Sequence, residues 1–323
     1  MLFSSVIDPE ALNPLPNESA NLRARDGLIF FLRGVIANGI VFDDSRTRML
    51  ELVAKKVDEA GRRDTQLGAL FTEVLKLYKV RLPVPNGFPL EAEGANALKA
   101  TCDFGKADCL LSRRSVALAS KCLVAPEDYS LSSFEDDRRA ASEHAVSLDR
   151  MSEKEREKFL ERIFKHARWI RIYDKQIGRS QDVRHFRDGI AWLLKGRQRH
   201  GLFAADFLDI YTMAPRQDSR SNLRDWQREL EEDLRQWLTR AFGLKVRIYF
   251  KADPDGIFHA RYLQTNLACV QLDRGFDLFR RNGTLFFKNL IRFDRGLVGE
   301  MREIQNLEDE VVWTDPSNTR PYP

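Results

Sequence analysis

Trp169-Ile170-Arg171-Ile172-Tyr173-Asp174 is the stretch from which the fold can be read, a strand of aromatic and β-branched residues. Outward from it, Asp182–Lys195 sets Val183, Phe186, Ile190, Leu193 and Leu194 at helical spacing, and Phe203–Met213 returns to strand-like sequence. Asn222 stands where an N-cap belongs, ahead of a helix over Leu223–Phe242 whose Trp226, Leu230, Leu234, Trp237 and Leu238 share a face. Lys245–Lys251, Ile257–Thr265, Cys269–Leu272 and Thr284–Phe293 then read as strands. The order β-α-β-α-β-β-β-β predicts a mixed sheet packed against helices.

Upstream the pattern also alternates. The first 26 residues, with Pro9, Pro14 and Pro16, read as an extended arm or a capped lead-in, and residues 28–36 are mostly apolar. Gly39–Asp44 reads as a strand, Arg46–Ala60 and Leu67–Tyr78 as helices, residues 106–119 as another helix, and Lys121–Ala125 as a short buried strand. The charged, Ser-rich stretch Glu127–Lys158 lacks apolar periodicity and places a boundary near residue 148. The fold class expected is therefore α/β in two domains: 1–147, a small helix-covered sheet, and 148–323, the mixed-sheet domain with a C-terminal tail.

At 323 residues the chain is long enough for two cores. Lys+Arg 52 against Asp+Glu 48 leaves a formal charge of +4, too balanced to require a nucleic-acid partner by itself. No run approaches the ~18 apolar residues of a membrane span, and the N-terminus lacks the basic and apolar regions of a signal peptide. Cys102, Cys109, Cys122 and Cys269 make neither a CxxC pair nor a zinc-knuckle spacing, so free thiols in the cytoplasm are the expectation.

Phe258-His259-Ala260-Arg261-Tyr262, followed by Arg274-Gly275-Phe276-Asp277, gathers a histidine, two arginines and an aspartate beside a turn. Arginine offers a planar fork of donors and histidine adds another, so the set suits an anion, most simply a phosphate held by His259, Arg261 and Arg274. With Tyr173-Asp174 ending an early strand, residues 148–300 resemble the C-terminal phospholipase D-like domain of MIT-domain proteins. In an active phospholipase D motif, His-x-Lys-x4-Asp, the histidine attacks phosphorus and the lysine neutralises phosphoryl oxygens. Here the matching positions are His259, Arg261 and Asn266, and Asn266 supplies no carboxylate. The resemblance therefore implies a degenerate scaffold that binds, with His259 as the catalytic candidate if chemistry survives and a homodimer as the source of a second copy.

A second, weaker resemblance lies upstream. Ile40-Val41-Phe42-Asp43-Asp44, Ala107-Asp108-Cys109-Leu110-Leu111 and Val124-Ala125-Pro126-Glu127-Asp128 are similar to the acidic positions of PIN-like nucleases, with Glu51 or Glu73 as the helical member. That likeness implies that Asp44, Asp108 and Asp128 hold Mg²⁺ or Mn²⁺, with Asp108 and Asp128 catalytic. Asp108 would open a helix in that arrangement. Plain helix capping accounts for the same aspartates.

Two further features carry alternatives. Arg184-His185-Phe186-Arg187 through Lys195-Gly196-Arg197-Gln198-Arg199-His200 is either a phosphate-tracking surface or a solvated helix face. Glu308-Asp309-Glu310 beside Val311-Val312-Trp313 is either a docking segment or a packed terminus. Together the resemblances imply a nucleic-acid-engaging effector or accessory subunit of a bacterial defence or toxin system, a metal-dependent nuclease being one form of it. The alternative is a noncatalytic module that binds a protein partner or an anionic phosphate group.

Overall fold

The computed structural model describes residues 3–12, 18–44, 49–61, 65–82, 94–114, 116, 122–143, 145–164, 166–180, 182–200, 207–215, 223–280, 283–286 and 289–309. It shows a mixed α/β protein of two compact units, Met1–His144 and Ala145–Pro323. No helix among the described residues is long and apolar enough to cross a membrane. Asn222 and Glu310-Val311-Val312-Trp313 fall outside the described residues.

The first unit carries strands β1 (Phe3–Ile7), β2 (Gly39–Asp44), β3 (Lys79–Leu82), β4 (Cys109–Leu111) and β5 (Cys122–Val124) in one sheet of order β3-β2-β1-β4-β5. Every neighbouring pair runs parallel. Helices α1 (Glu18–Asn38), α2 (Met49–Gly61), α3 (Thr65–Leu77), α4 (Ala95–Gly105) and α5 (Ser133–Glu143) connect and cover it. Phe3, Ile7, Val41, Cys109, Leu111 and Val124 face a core shared with Leu28, Phe31, Leu32, Leu50, Val53, Phe71, Tyr129 and Phe134. β1 is the central strand of a parallel sheet, with a neighbour on each side, and all five of its residues are buried.

Two expectations for this unit are corrected. The extended lead-in is, at Phe3–Ile7, the central strand; Ser4 and Ser5 interrupt its apolar run but are buried. The helix expected over residues 106–119 does not form among the described residues 106–114 and 116: α4 ends earlier, at a C-cap Lys106 in the left-handed conformation (φ 48°), and Cys109–Leu111 pairs with β1. Three apolar residues between polar flanks are too short for periodicity to separate strand from helix, and the sheet decides. The charged stretch after Asp128 is likewise ordered, because Tyr129, Phe134, Glu135 and Arg138 turn inward from a 3-10 turn (Pro126–Leu131) and α5.

The second unit carries β6 (Val146–Ser147), β7 (Ile170–Tyr173), β8 (Phe207–Thr212), β9 (Lys245–Phe250), β10 (Tyr262–Thr265), β11 (Cys269–Leu272) and β12 (Leu290–Phe293), in the order β6-β12-β11-β10-β7-β8-β9. β7, β8 and β9 are parallel and the remaining pairs antiparallel, the mixed sheet expected. Helices α6 (Glu153–Phe164) and α7 (Arg184–His200) precede a helix built from α8 (Leu223–Arg228), a π-helical stretch (Glu229–Gln236) and α9 (Trp237–Phe242); α10 (Val298–Asn306) comes last. The strand expected over Ile257–Thr265 begins only at Tyr262. Ahead of it the Asp253 carboxylate accepts from the amides of Ile257 (2.6 Å) and Phe258 (3.0 Å), holding a loop after the Asp253-Pro254-Asp255-Gly256 turn. The strand expected from Thr284 is confined, among the described residues, to Leu290–Phe293.

Candidate functional site

A doubly wound parallel sheet binds ligands outside the carboxyl ends of its strands, where the strand order reverses. In the first unit that point lies between β1 and β4. Asp8 follows β1 there and is fully buried. Its Oδ2 accepts from Ser112 Oγ at 2.5 Å and lies 3.2 Å from Arg114 Nε, while Arg114 Nη2 reaches Glu10 at 3.5 Å and Lys56 Nζ reaches it at 3.2 Å. Asp8 was missed by sequence reasoning, although an Asp-Pro step closing an apolar run was its signal. Its charge is already balanced by Arg114. Asp43, next to last in β2, is buried as well; burial pushes its carboxyl up, and Lys79 (3.9 Å) and Arg81 (3.8 Å) pull it back only partly.

The proposed metal set Asp44, Asp108 and Asp128 does not gather. Because the strands are parallel, Asp108, immediately before β4, lies at the amino edge, where its carboxylate accepts from Ser4 N and Ser4 Oγ, both at 2.9 Å. Asp44 closes β2 at the carboxyl edge, and Asp128 is exposed in the turn beyond β5. β1 and β4 stand between β2 and β5, about 14 Å at the usual strand spacing, against the ~2.1 Å of a Mg²⁺–oxygen bond. Among the described residues no group of three or more His, Cys, Asp or Glu is placed to hold a metal. These three residues do not fit a Mg²⁺ or Mn²⁺ site, and Asp108 serves instead to tie β4 to β1.

In the second unit the Arg274-Gly275-Phe276-Asp277 turn folds onto Asp174, at the carboxyl end of β7. Asp174 is 1% exposed; its Oδ1 accepts from Gln176 N (2.9 Å) and its Oδ2 from Phe276 N (3.2 Å). Arg261 packs beside the same turn and its Nη1 donates to the Asp273 carbonyl at 3.3 Å. The guanidinium of Arg274 lies 3.9 Å over the Phe286 ring, and His259 is exposed in the loop beside Gly256. Two of the three phosphate candidates thus adjoin one turn, with Arg274 aimed at an aromatic ring and His259 on a separate loop.

Burial is the main cause that lifts the Asp174 carboxyl to about 6, against bonds from Gln176 and Phe276 and the pull of Arg261. A carboxyl raised on folding contributes stability below its unfolded pKa of about 4 that is lost as pH rises through about 6. Thermal melts between pH 4 and 7 should therefore show this contribution, on the order of 3 kcal/mol, falling toward neutrality. Asp174→Asn should flatten that dependence; an unchanged slope in the variant would assign it to another group.

The other concentration of cations was not foreseen. β10, β7, β8 and β9 set Tyr262, Tyr173, Tyr211 and Tyr249 abreast. Tyr173 and Tyr211 stack at 4.9 Å, as do Tyr211 and Tyr249. The adjacent row is Gln264, Arg171, Asp209 and Arg247. Asp209, 1% exposed, receives Arg247 Nε at 2.6 Å and Nη2 at 3.0 Å, with Arg171 Nε 3.6 Å away. Locked by that fork, Arg247 lies 4.6 Å over Phe207 and 5.9 Å from Tyr249, while Arg171 lies 4.6 Å over Trp169. Leu297 and, from α10, Met301 and Ile304 pack with Tyr173 and Tyr262 on this face. Phe207, Tyr249 and Trp169 remain half-buried, and the Arg247 side chain keeps 40% of its exposure. Arg184 and Arg187, by contrast, are paired with Asp182 and Asp188.

Against family models, curated proteins and solved structures alike, the chain finds no match.

Proposed function

We propose that the protein engages single-stranded nucleic acid as an accessory module, through the β7–β8–β9 face of its second unit. The observation that carries this is the pair of arginine–aromatic stacks, Arg247 on Phe207, forked on buried Asp209, and Arg171 on Trp169. Stacking platforms edged by arginine bind unpaired bases whatever their sequence, because every base has a π-face and every step a phosphate. Exposed Arg168 and Lys245, beside Trp169 and at the start of β9, add charge at the same end of the strands. The reading is one of binding: aspartates on opposite edges of a sheet give no support to cleavage through Asp108 and Asp128.

The test is fluorescence anisotropy with labelled single strands and duplexes of RNA and DNA, about 12 nucleotides long, in Mn²⁺ and in EDTA. Arg247→Lys keeps the charge and loses the stacked fork; Phe207→Leu keeps an apolar side chain and loses the ring. Each should weaken single-strand binding at least about fivefold, the low end of one stacked base, and higher salt should weaken it further. Binding that ignores both substitutions would remove this face from the site. Mn²⁺-dependent cutting would replace binding with catalysis as the function.

A further inference from the structure

Two cysteines of the first unit lie side by side. Cys109 on β4 and Cys122 on β5 are register partners in parallel strands, so both side chains leave the same face of the sheet. The Cys109 thiol donates a hydrogen bond to the Cys122 sulfur. Neighbouring strands run about 4.8 Å apart, inside the ~4.4–6.8 Å over which a disulfide joins two Cα atoms.

Their surroundings differ. Cys109 is fully buried in the core with Leu111 and Tyr129. Cys122, on the edge strand, is half-buried, and the backbone amide of Phe134 points at its sulfur from the first turn of α5. A thiol at a helix N-terminus with a donor neighbour and partial access is the kind that ionises and reacts. The bond from Cys109, then the Phe134 amide, bring the Cys122 thiol down to about 7 against its partial burial and the nearby Asp137, whereas the hydrogen bond and burial push Cys109 well up.

We propose that Cys122 and Cys109 form a reversible redox pair, Cys122 attacking and Cys109 resolving, with hydrogen peroxide as oxidant. The Cys122 thiolate attacks one peroxide oxygen, the O–O bond breaks, and protonation of the departing hydroxide leaves a sulfenic acid and water. The Cys109 sulfur then attacks the sulfenic sulfur; the S–O bond breaks, and the Cys109 proton leaves with hydroxide as a second water. Two thiols are oxidised to one disulfide and one peroxide is reduced to two waters. A dithiol reductant reverses the step by exchange.

The experiment is peroxide titration of the reduced full-length protein, read by intact mass and by peptide mapping without reduction. Expected are a loss of about 2 Da, a linked pair of peptides containing Cys109 and Cys122, and recovery in dithiothreitol. Before oxidation, Cys122 should alkylate at least about tenfold faster than Cys109 at neutral pH. In Cys109→Ser, with unchanged circular dichroism, oxidation should stop at sulfenic acid on Cys122, trapped by dimedone. A link from Cys109 to Cys102, direct passage of wild-type Cys122 to sulfinic acid, or no mass change under excess peroxide would each overturn the proposal.

Discussion

Arg138→Leu should destabilise the first unit by about 3–5 kcal/mol, a large part of the 5–15 kcal/mol that holds an ordinary domain folded. Arg138 is 8% exposed and Glu135 1%. Their fork is bidentate, Nε to Oε2 at 2.7 Å and Nη2 to Oε1 at 2.8 Å, while Nη1 donates to Asn38 Oδ1 at 2.7 Å. Gly34 makes room for the guanidinium on α1, since a Cβ there would sit 2.7 Å from Arg138 Nε. Removing the arginine leaves the buried carboxylate with only Tyr129 and the 3.5 Å contact of half-exposed Arg139, and that loss costs more than the pair contributes. The double variant Glu135→Leu/Arg138→Leu should recover most of the loss, because apolar replacement of both partners removes the uncompensated charge. Urea unfolding of the two variants measures the difference; equal losses would show that packing of the side chains, and not charge, is what matters. Acid should act in the same direction. Burial pushes the Glu135 carboxyl up, but the bonds and charge of Arg138 outweigh it and leave it below its ordinary value. The stability it adds is present above about pH 4.3 and is lost as pH falls through the folded value.

Gly275→Ala should cost the second unit about 2–5 kcal/mol, from two sources. The residue has φ 71°, a conformation worth about 1–2 kcal/mol against any side chain with a Cβ. A Cβ would also meet Asp174 Oδ2 at 2.3 Å and Arg261 Cγ at 2.9 Å, and overpacking of that kind typically adds about 1–3 kcal/mol. Relief requires the turn to lift off Asp174, which breaks the 3.2 Å bond from Phe276 N. The pH dependence ascribed to Asp174 should then shrink in the same variant, because its carboxyl regains water. A melting temperature within a degree or two of wild type would mean that the turn adjusts freely and that Asp174 is not confined by it.

Most strands of the second unit were legible because their aromatic and β-branched residues stand between clear turn signals; β7 and β9 are of this kind. β1 was not, since two serines in five residues hide a strand whose burial comes from neighbours on both sides and not from its own hydrophobicity. β4 failed for the opposite reason: three apolar residues suit either structure, and only the β1 ladder distinguishes them. The candidate sites follow the same logic. Asp174 and the Arg274–Asp277 turn could be singled out locally and do meet. Asp44, Asp108 and Asp128 were chosen by proximity to strand and helix ends, but which end of the sheet each one occupies depends on strand direction. The Arg171–Asp209–Arg247 row and the Cys109–Cys122 pair exist only through register, which no single segment encodes.

The place of β1 also sets an order of assembly on the ribosome. Its bonds to β2 form once the chain reaches residues 39–41, but the other side of β1 waits for β4, and the Ser4–Asp108 contact closes across 104 residues. At roughly 5–20 residues per second, that wait lasts about 5–20 s. For that interval a growing three-stranded sheet presents an apolar, unpaired edge to its surroundings. Slowing initiation, so that fewer nascent chains share that interval in proximity, should therefore raise the soluble yield more than slowing elongation, which lengthens the exposure.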